Sequence, residues 1–220
     1  MVQISSSDSA KRCRGRPQLR PDEATLAIIR EAARQEFQDK GYEATSIAAV
    51  AERAGVSTKT VYRLVPNKAE LFVGVITERI NEFVEALDLG AIETLDAKAA
   101  LTQMLIVFGN LTLEPRTVEM SRLVLGECRA FHEVGEAFYQ GAIVRSSEAM
   151  AAVVRRLNDR GLIAVADPAE AVTLLRGMMI FDWQRAAMLG KRAVPTAEEI
   201  AQRAERCASL FLEGCAALAH

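Results

Sequence analysis

Histidine is almost missing from this chain. Only His132 and His220 occur among 220 residues, and the four cysteines, Cys13, Cys128, Cys207 and Cys215, form no Cys-x-x-Cys pair. A structural zinc site needs thiolates and imidazoles in sets of four, so no metal site is expected, and no cofactor. Thiols without a pairing pattern fit a reducing compartment. Apolar runs of the ~20 residues that span a bilayer are missing too. The opening residues are polar and then basic, unlike a secretory leader. Cytoplasmic location with no membrane partner is therefore the expectation. Proline is scarce, at six residues, and no stretch sustains the apolar–polar alternation of a strand. Enzyme signatures are lacking as well: no Gly-x-Ser-x-Gly elbow, no Gly-rich phosphate loop, no His-Glu-x-x-His. What remains is an all-α, non-enzymatic protein, half hydrophobic and a quarter charged like an ordinary globular chain.

The prolines and caps divide the chain into helices, because proline rarely survives a helix interior. A first helix is expected from Asp22 to Lys40, with Leu26, Ile29, Ala33 and Phe37 on its inner stripe and Gly41 as its stop. Asn67, with Glu70 three residues on, caps another that runs towards Leu87. Asp88 to Thr94 reads as a loop. Helices follow from Asp96 to Leu113, from Pro115 to about Phe131, and from Glu133 to Arg160, closed by Gly161. Asp167-Pro168-Ala169-Glu170 combines a cap, Pro at N1 and Glu at N3 and opens a helix to Leu189. Thr196 to Glu199 starts the last one, through Leu218. The count is about nine helices.

Charge is unevenly placed. Residues 1–70 carry a net +3 and the remainder a net −5. The basic excess sits at Lys11, Arg12, Arg14, Arg16 and Arg20, a footprint that suits nucleic acid. Immediately downstream lies the most informative stretch, from Thr45 to Leu71. Thr45 and Ser46 supply an N-cap, and Ile47, Val50 and Ala51 give one apolar face. Gly55 stands where a left-handed residue ends a helix, Val56 plugs the turn, and Ser57 caps the next helix. That helix points Val61 and Val65 inward. Thr58, Lys59, Thr60, Tyr62 and Arg63 are left outside, a face of hydroxyls and cations suited to a phosphate-lined groove. This is the logic of a helix-turn-helix with its recognition helix in a major groove. The alternative is a helical hairpin that merely packs.

The run from Leu26 to Ile76 resembles the DNA-binding domain of the TetR family of bacterial regulators. Ala33, Phe37, Gly41, Tyr42, Thr45, Ile47, Ala54, Gly55-Val56-Ser57, Val61-Tyr62, Pro66, Lys68, Leu71 and Phe72 carry the resemblance. Val65 departs from it, standing where that family usually has an aromatic residue. The basic run makes 1–20 an expected disordered arm, and the resemblance implies a three-helix DNA-binding domain over 21–70. It implies an effector-binding and dimerisation domain over 71–220. The segment from Arg122 to Tyr139 is similar to a subgroup of the family. The implied function is a ligand-responsive regulator, usually a repressor, that binds a palindromic double-stranded DNA operator as a homodimer and is released by a small, apolar effector. The alternatives are a helical small-molecule-binding protein acting through protein partners without DNA, and a helical enzyme.

The expected DNA contacts are Arg14, Arg16, Thr45, Ser46, Ser57, Thr58, Lys59, Thr60, Tyr62, Arg63 and Lys68. Arg14-Gly15-Arg16-Pro17 resembles the core of an AT-hook, in which glycine lets the backbone press into a narrow A·T-rich minor groove. Effector-lining candidates are Met104, Phe108, Phe138, Met178, Met179, Asp182 and Trp183, and plain core explains the same spacing. Glycines at 109, 126, 135, 141 and 177 fall inside expected helices and mark either kinks, ligand space or close crossings. In the last helix Ile200, Ala204, Cys207, Phe211 and Leu218 form a stripe that suits a dimer interface. An ordinary intramolecular core explains the same stripe.

Overall fold

A computed structural model describes residues 21–218, with side chains to residue 214. The arm, with Arg14 and Arg16, lies outside the described residues. Among the described residues there is no strand. The chain runs α1 (Asp22–Ala44), α2 (Ile47–Arg53), α3 (Thr58–Leu64), α4 (Lys68–Ala86), the single turn α5 (Leu89–Ile92), α6 (Ala97–Leu113), α7 (Pro115–Glu127), α8 (His132–Phe138), a π-helical segment (Tyr139–Val144), α9 (Arg145–Asp159), α10 (Pro168–Met188) and α11 (Ala197–Leu218). Segments α8, π and α9 are continuous and form one rod. Counted so, and without the single turn inside the expected loop, the described residues give the nine helices expected.

The caps lie where short-range chemistry puts them. The side chains of Ser46, Ser57, Asn67, Asp96 and Asp167 accept backbone N–H groups two or three residues on. Thr196 and Glu199 bond each other's N–H reciprocally, a capping box. Thr45 is no part of the cap: its hydroxyl donates to the carbonyl of Gly41 at 2.7 Å, and it is buried. Gly55 and Gly161 adopt φ of 66° and 68°, the left-handed ends that glycine tolerates.

Two hydrophobic clusters organise the molecule. One joins Ile29, Ala33 and Phe37 of α1 to Ile47, Val50 and Ala51 of α2, Val61 of α3, and Leu71, Phe72, Val75 and Ile76 of α4. It also takes in Met120 and Val124 of α7 and Val134 and Ala137 of α8. Phe37, Tyr42 and Phe72 pack ring against ring with centroids 5.2 to 5.6 Å apart. Such burial supplies about 1.5–3 kcal/mol per large apolar side chain, which lets helices as short as α2 and α3 persist. The second cluster runs from Ile80 and Phe83 of α4 through α6, α9, α10 and α11. Ile200, Ala204, Cys207 and Ala208 are all buried in it. The stripe expected at a dimer interface is therefore intramolecular core along these residues. Gly109 explains the closeness of α6 to α10 and α11: a Cβ there would lie 2.7 Å from Met179 Cε and 2.9 Å from Ile200 Cγ2.

Candidate functional site

The outer face of α3 is open. Thr58, Lys59, Tyr62 and Arg63 are exposed, Thr60 is half-buried, and Val61 is fully enclosed. Ser57 accepts the Thr60 N–H at 3.1 Å, and the Ser57 and Thr60 hydroxyls lie 2.8 Å apart. Ser46 is exposed at the start of α2, its oxygen occupied by the Ala49 N–H. Lys59 and Tyr62 have no hydrogen-bond or ion-pair partner among the described residues, so both are available to an outside ligand. Arg63 forms two parallel bonds to Asp22, each 2.8 Å, that tie α3 to the start of α1. An exposed pair of this kind contributes little to stability.

The sequence reading counts Lys68 among the DNA contacts. Instead its ammonium donates to the carbonyls of Tyr42 (2.8 Å), Glu43 (3.1 Å) and Thr45 (3.1 Å) and sits 4.5 Å from the centre of the Tyr42 ring. Its three donors are spent on carbonyls left over where α1 breaks at Gly41. Lys68 is a staple, and Thr45 is likewise turned inward.

A cavity of about 540 Å³ opens between α1, α4, the end of α6, α7, the π segment and α10. That volume falls in the usual range for small-molecule sites, roughly 300–1,000 Å³. Its walls include Val75, Ile76 and Ile80 of α4, Met120 and Val124 of α7, Phe138 and Ala142, and Ile180 and Met188 of α10. Charged residues of α1, α4 and α7, and Glu114 at the joint between α6 and α7, gather on the same cavity: Arg30, Glu31, Arg34, Glu78, Arg79, Glu82, Glu114 and Arg116. Arg34 pairs with Glu31, and Arg79 with Glu82 and, at 2.7 Å, with Glu114. Burial raises the Glu78 carboxyl above its ordinary range, against the pull of Arg30.

Of the seven effector-lining candidates, only Phe138 lines this cavity. Met104, Phe108 and Met179 are fully enclosed core. Met178 is half-buried and its carbonyl accepts from Arg203. Asp182 is exposed, and Trp183 carries the guanidiniums of Arg192 and Arg203, 4.1 and 4.6 Å from its ring centre. The wall of α10 is instead Arg176, Ile180, Gln184 and Met188, spaced by four along one face. An arginine among apolar residues in mid-helix was the available signal. Gly141 lets the π segment press on α4, since a Cβ there would stand 3.2 Å from Ile76 Cγ2.

The cavity is bolted to the helix-turn-helix. Glu127, the last residue of α7, accepts the N–H groups of Tyr42 (2.8 Å) and Glu43 (3.1 Å). Tyr42 donates its hydroxyl to Glu133 at 3.2 Å. Burial first, and then Glu133 and Glu127, push that phenol up to about 12.

An exposed α3 face on which Lys59 and Tyr62 are uncommitted among the described residues, tied to a helical unit with an open cavity, fits a DNA-binding regulator. Family comparison agrees. Residues 29–75 match the model of bacterial regulatory proteins of the tetR family, and residues 99–215 that of the AefR-like transcriptional repressor C-terminal domain. The chain belongs to the TetR family of transcriptional regulators and is not an enzyme. It is 27% identical over 165 residues to the HTH-type transcriptional regulator YhgD of Bacillus subtilis, covering 72% of this chain and 83% of that one. A TetR-family regulator from Mesorhizobium loti superposes with a TM-score of 0.77 at 24% identity, over 87% of this chain and 96% of that one. The flavonoid-responsive regulator FrrA superposes with a TM-score of 0.70 at 25% identity, over 88% and 97%. No helix of the described residues is long and apolar enough to cross a membrane.

Proposed function

We propose that this regulator is a ligand-released repressor that acts as a homodimer on a palindromic operator. The observation that carries the reading is the position of the cavity. Its walls are shared by helices of the DNA-binding unit, α1 and α4, and helices of the sensing unit, α7, the π segment and α10. A molecule entering there touches both at once and shifts their relation. Because DNA and ligand then bias one equilibrium, each weakens the other by the same factor. Ser46, Ser57, Thr58, Lys59, Thr60, Tyr62 and Arg63 form the proposed DNA face, with Arg14 and Arg16 of the arm beside it. Domain limits near 20 and 70 go with this reading, α4 passing from one unit into the other.

The dimer face proposed here is the outer surface of α10 and α11. Leu174 and Phe181, seven apart on α10, are each 58% exposed, and Leu210 of α11 is 62% exposed. Such side chains gain from burial against a second copy. FrrA is by its name flavonoid-responsive, which supports a small organic effector in this cavity. The test is fluorescence anisotropy with the chain's own upstream DNA, joined to sedimentation on and off DNA. A dimer on an inverted repeat, displaced by a cavity ligand, is the expected result. A strict monomer on a non-repeated site overturns it.

A further inference from the structure

We propose that the effector of this cavity is an amphipathic organic anion, an apolar body carrying a carboxylate or similar oxyanion that Arg176 holds. The inference rests on the ligand-released reading and names its chemical class. Arg176 lines the cavity from the middle of α10. Its Nη1 donates to Ser146 Oγ at 2.9 Å, to Ser147 Oγ, and to the Ile143 carbonyl at 3.2 Å. Its guanidinium lies 4.7 Å from the centre of the Phe108 ring. None of these groups is a carboxylate, and Nε and Nη2 have no acceptor among the described residues.

The other arginines on the cavity differ. Arg34 and Arg79 hold carboxylates directly. Arg116 and Arg30 lie within electrostatic reach of Glu31 and Glu78. Five arginines therefore share the cavity with four glutamates, Glu31, Glu78, Glu82 and Glu114. The positive charge left over belongs to Arg176, set against apolar wall. Burial alone draws its guanidinium down to about 10, so it stays protonated at neutral pH. A sequestered cation without a counter-ion is costly, and Phe108 and the two hydroxyls offset only part of that cost.

A ligand oxyanion supplies the missing partner. Nε and Nη2 form the fork that meets a carboxylate with two parallel bonds. A cationic ligand is repelled, and a neutral one strips water from Arg176 without replacing the charge. The apolar body packs on Ile76, Ile80, Met120, Val124, Phe138 and Ile180.

Calorimetric titration of the full chain tests this with matched sets: decanoate, naphthoate and phenylbutyrate, each beside its primary amide and the corresponding amine. At least one acid is expected to bind roughly 10- to 100-fold more tightly than its amide, the worth of a charge-assisted bond, with the amine weaker still. Arg176→Gln should abolish that preference and keep operator binding. Arg176→Lys, which retains charge but loses the fork, should keep part of it and carries the comparison should the glutamine variant lose its helical circular dichroism. Amide or amine bound as tightly as acid, acid preference surviving in Arg176→Gln, or no binding by any member of the sets overturns the proposal. A wild-type chain that ignores its operator overturns the broader reading instead, and leaves acid preference measurable.

Discussion

Replacing Glu127 should disconnect the sensing domain from the DNA-binding unit. The reason begins at Gly41, where φ of 83° and ψ of 171° break the helix. The break leaves the N–H groups of Tyr42 and Glu43 without helical acceptors, and the two oxygens of Glu127 take them. Glycine is required there twice over, for the φ and because a Cβ would stand 2.5 Å from Glu127 Oε1. Each bond to a charged acceptor is worth about 1.5–3 kcal/mol. Glu127 is only half-buried, so the lower end applies, and Glu127→Ala should cost about 3 kcal/mol for the pair. At roughly 2–4 °C per kcal/mol for a chain this size, Tm should fall by about 6–12 °C. Glu127→Gln keeps one acceptor and sets an amide N–H against the other N–H, so it should lie between. The decisive assay is operator anisotropy with and without a cavity ligand. In Glu127→Ala the ligand should still bind, but its effect on operator affinity should shrink towards none. An unchanged Tm together with a full ligand response would refute the reasoning.

Three further outcomes are expected. Lys59→Ala should weaken operator binding without lowering Tm and should reduce the salt slope of binding by ~0.9 where its ammonium neutralises a phosphate, whereas Lys68→Met, which removes the staple on Tyr42, Glu43 and Thr45, should lower Tm as well; equal Tm in both variants counts against the staple. Glu36 is buried, and Lys40, then Arg53, hold its carboxyl below the usual range against the opposing effect of burial. Its folded value lies under its unfolded one, so its contribution is complete above about pH 4.3 and lost as pH falls through the folded value. Calorimetry across acid pH should show the Tm gap between wild type and Glu36→Gln closing there, and a gap independent of pH contradicts the pairing. Deleting residues 1–17 removes Lys11, Arg12, Arg14 and Arg16, and the salt slope should shrink by ~0.9 for each phosphate that these cations neutralise, most on A·T-rich flanks; equal slopes show the arm to be a bystander.

The helix-turn-helix was legible because its signals are local. Ser57, Gly55 and the Val61–Val65 pair each act within one turn, and spacing along the chain reveals that range. The same holds for Asp167 and Thr196 at the starts of α10 and α11. Lys68 misled for the opposite reason. Its partners are the carbonyls of Tyr42, Glu43 and Thr45, 23 to 26 residues away, and spacing says nothing of them. Thr45 misled although its partner is near: the carbonyl four residues back that takes its hydroxyl belongs to Gly41, where the helix breaks. Helix α10 was misread on its facing. It is apolar nearly all round because it meets α6, α7, α9 and α11 as well as the cavity. Its Met178–Met179 face and its Arg176–Ile180–Gln184 face look alike until those neighbours are placed. Of the internal glycines, Gly109 proved a close crossing, whereas a Cβ at Gly126 or Gly177 would meet nothing within 4 Å. The π segment leaves no local trace, since one extra residue per turn changes no composition.

Helix α4 is the element through which modest chemistry would suffice for the proposed control. Its first half, Leu71 to Ile76, belongs to the helix-turn-helix cluster, and its second half, Ile80 and Phe83, to the sensing-domain cluster. The cavity touches the junction between them, at Val75, Ile76, Arg79 and Ile80. A ligand there need not transmit a signal through a long chain of contacts, because packed cores shift between discrete arrangements rather than bending continuously. A 100-fold loss of operator affinity requires only about 2.7 kcal/mol of differential binding. That is close to the roughly 3 kcal/mol assigned above to the two bonds at Glu127. A ligand that parted α7 from α1 far enough to break those bonds would therefore supply a loss of that size. Full inversion of a 99:1 equilibrium needs about 5.5 kcal/mol, and that demand exceeds the clamp. It would fall also on the wall itself, where Gly141 holds the π segment against Ile76.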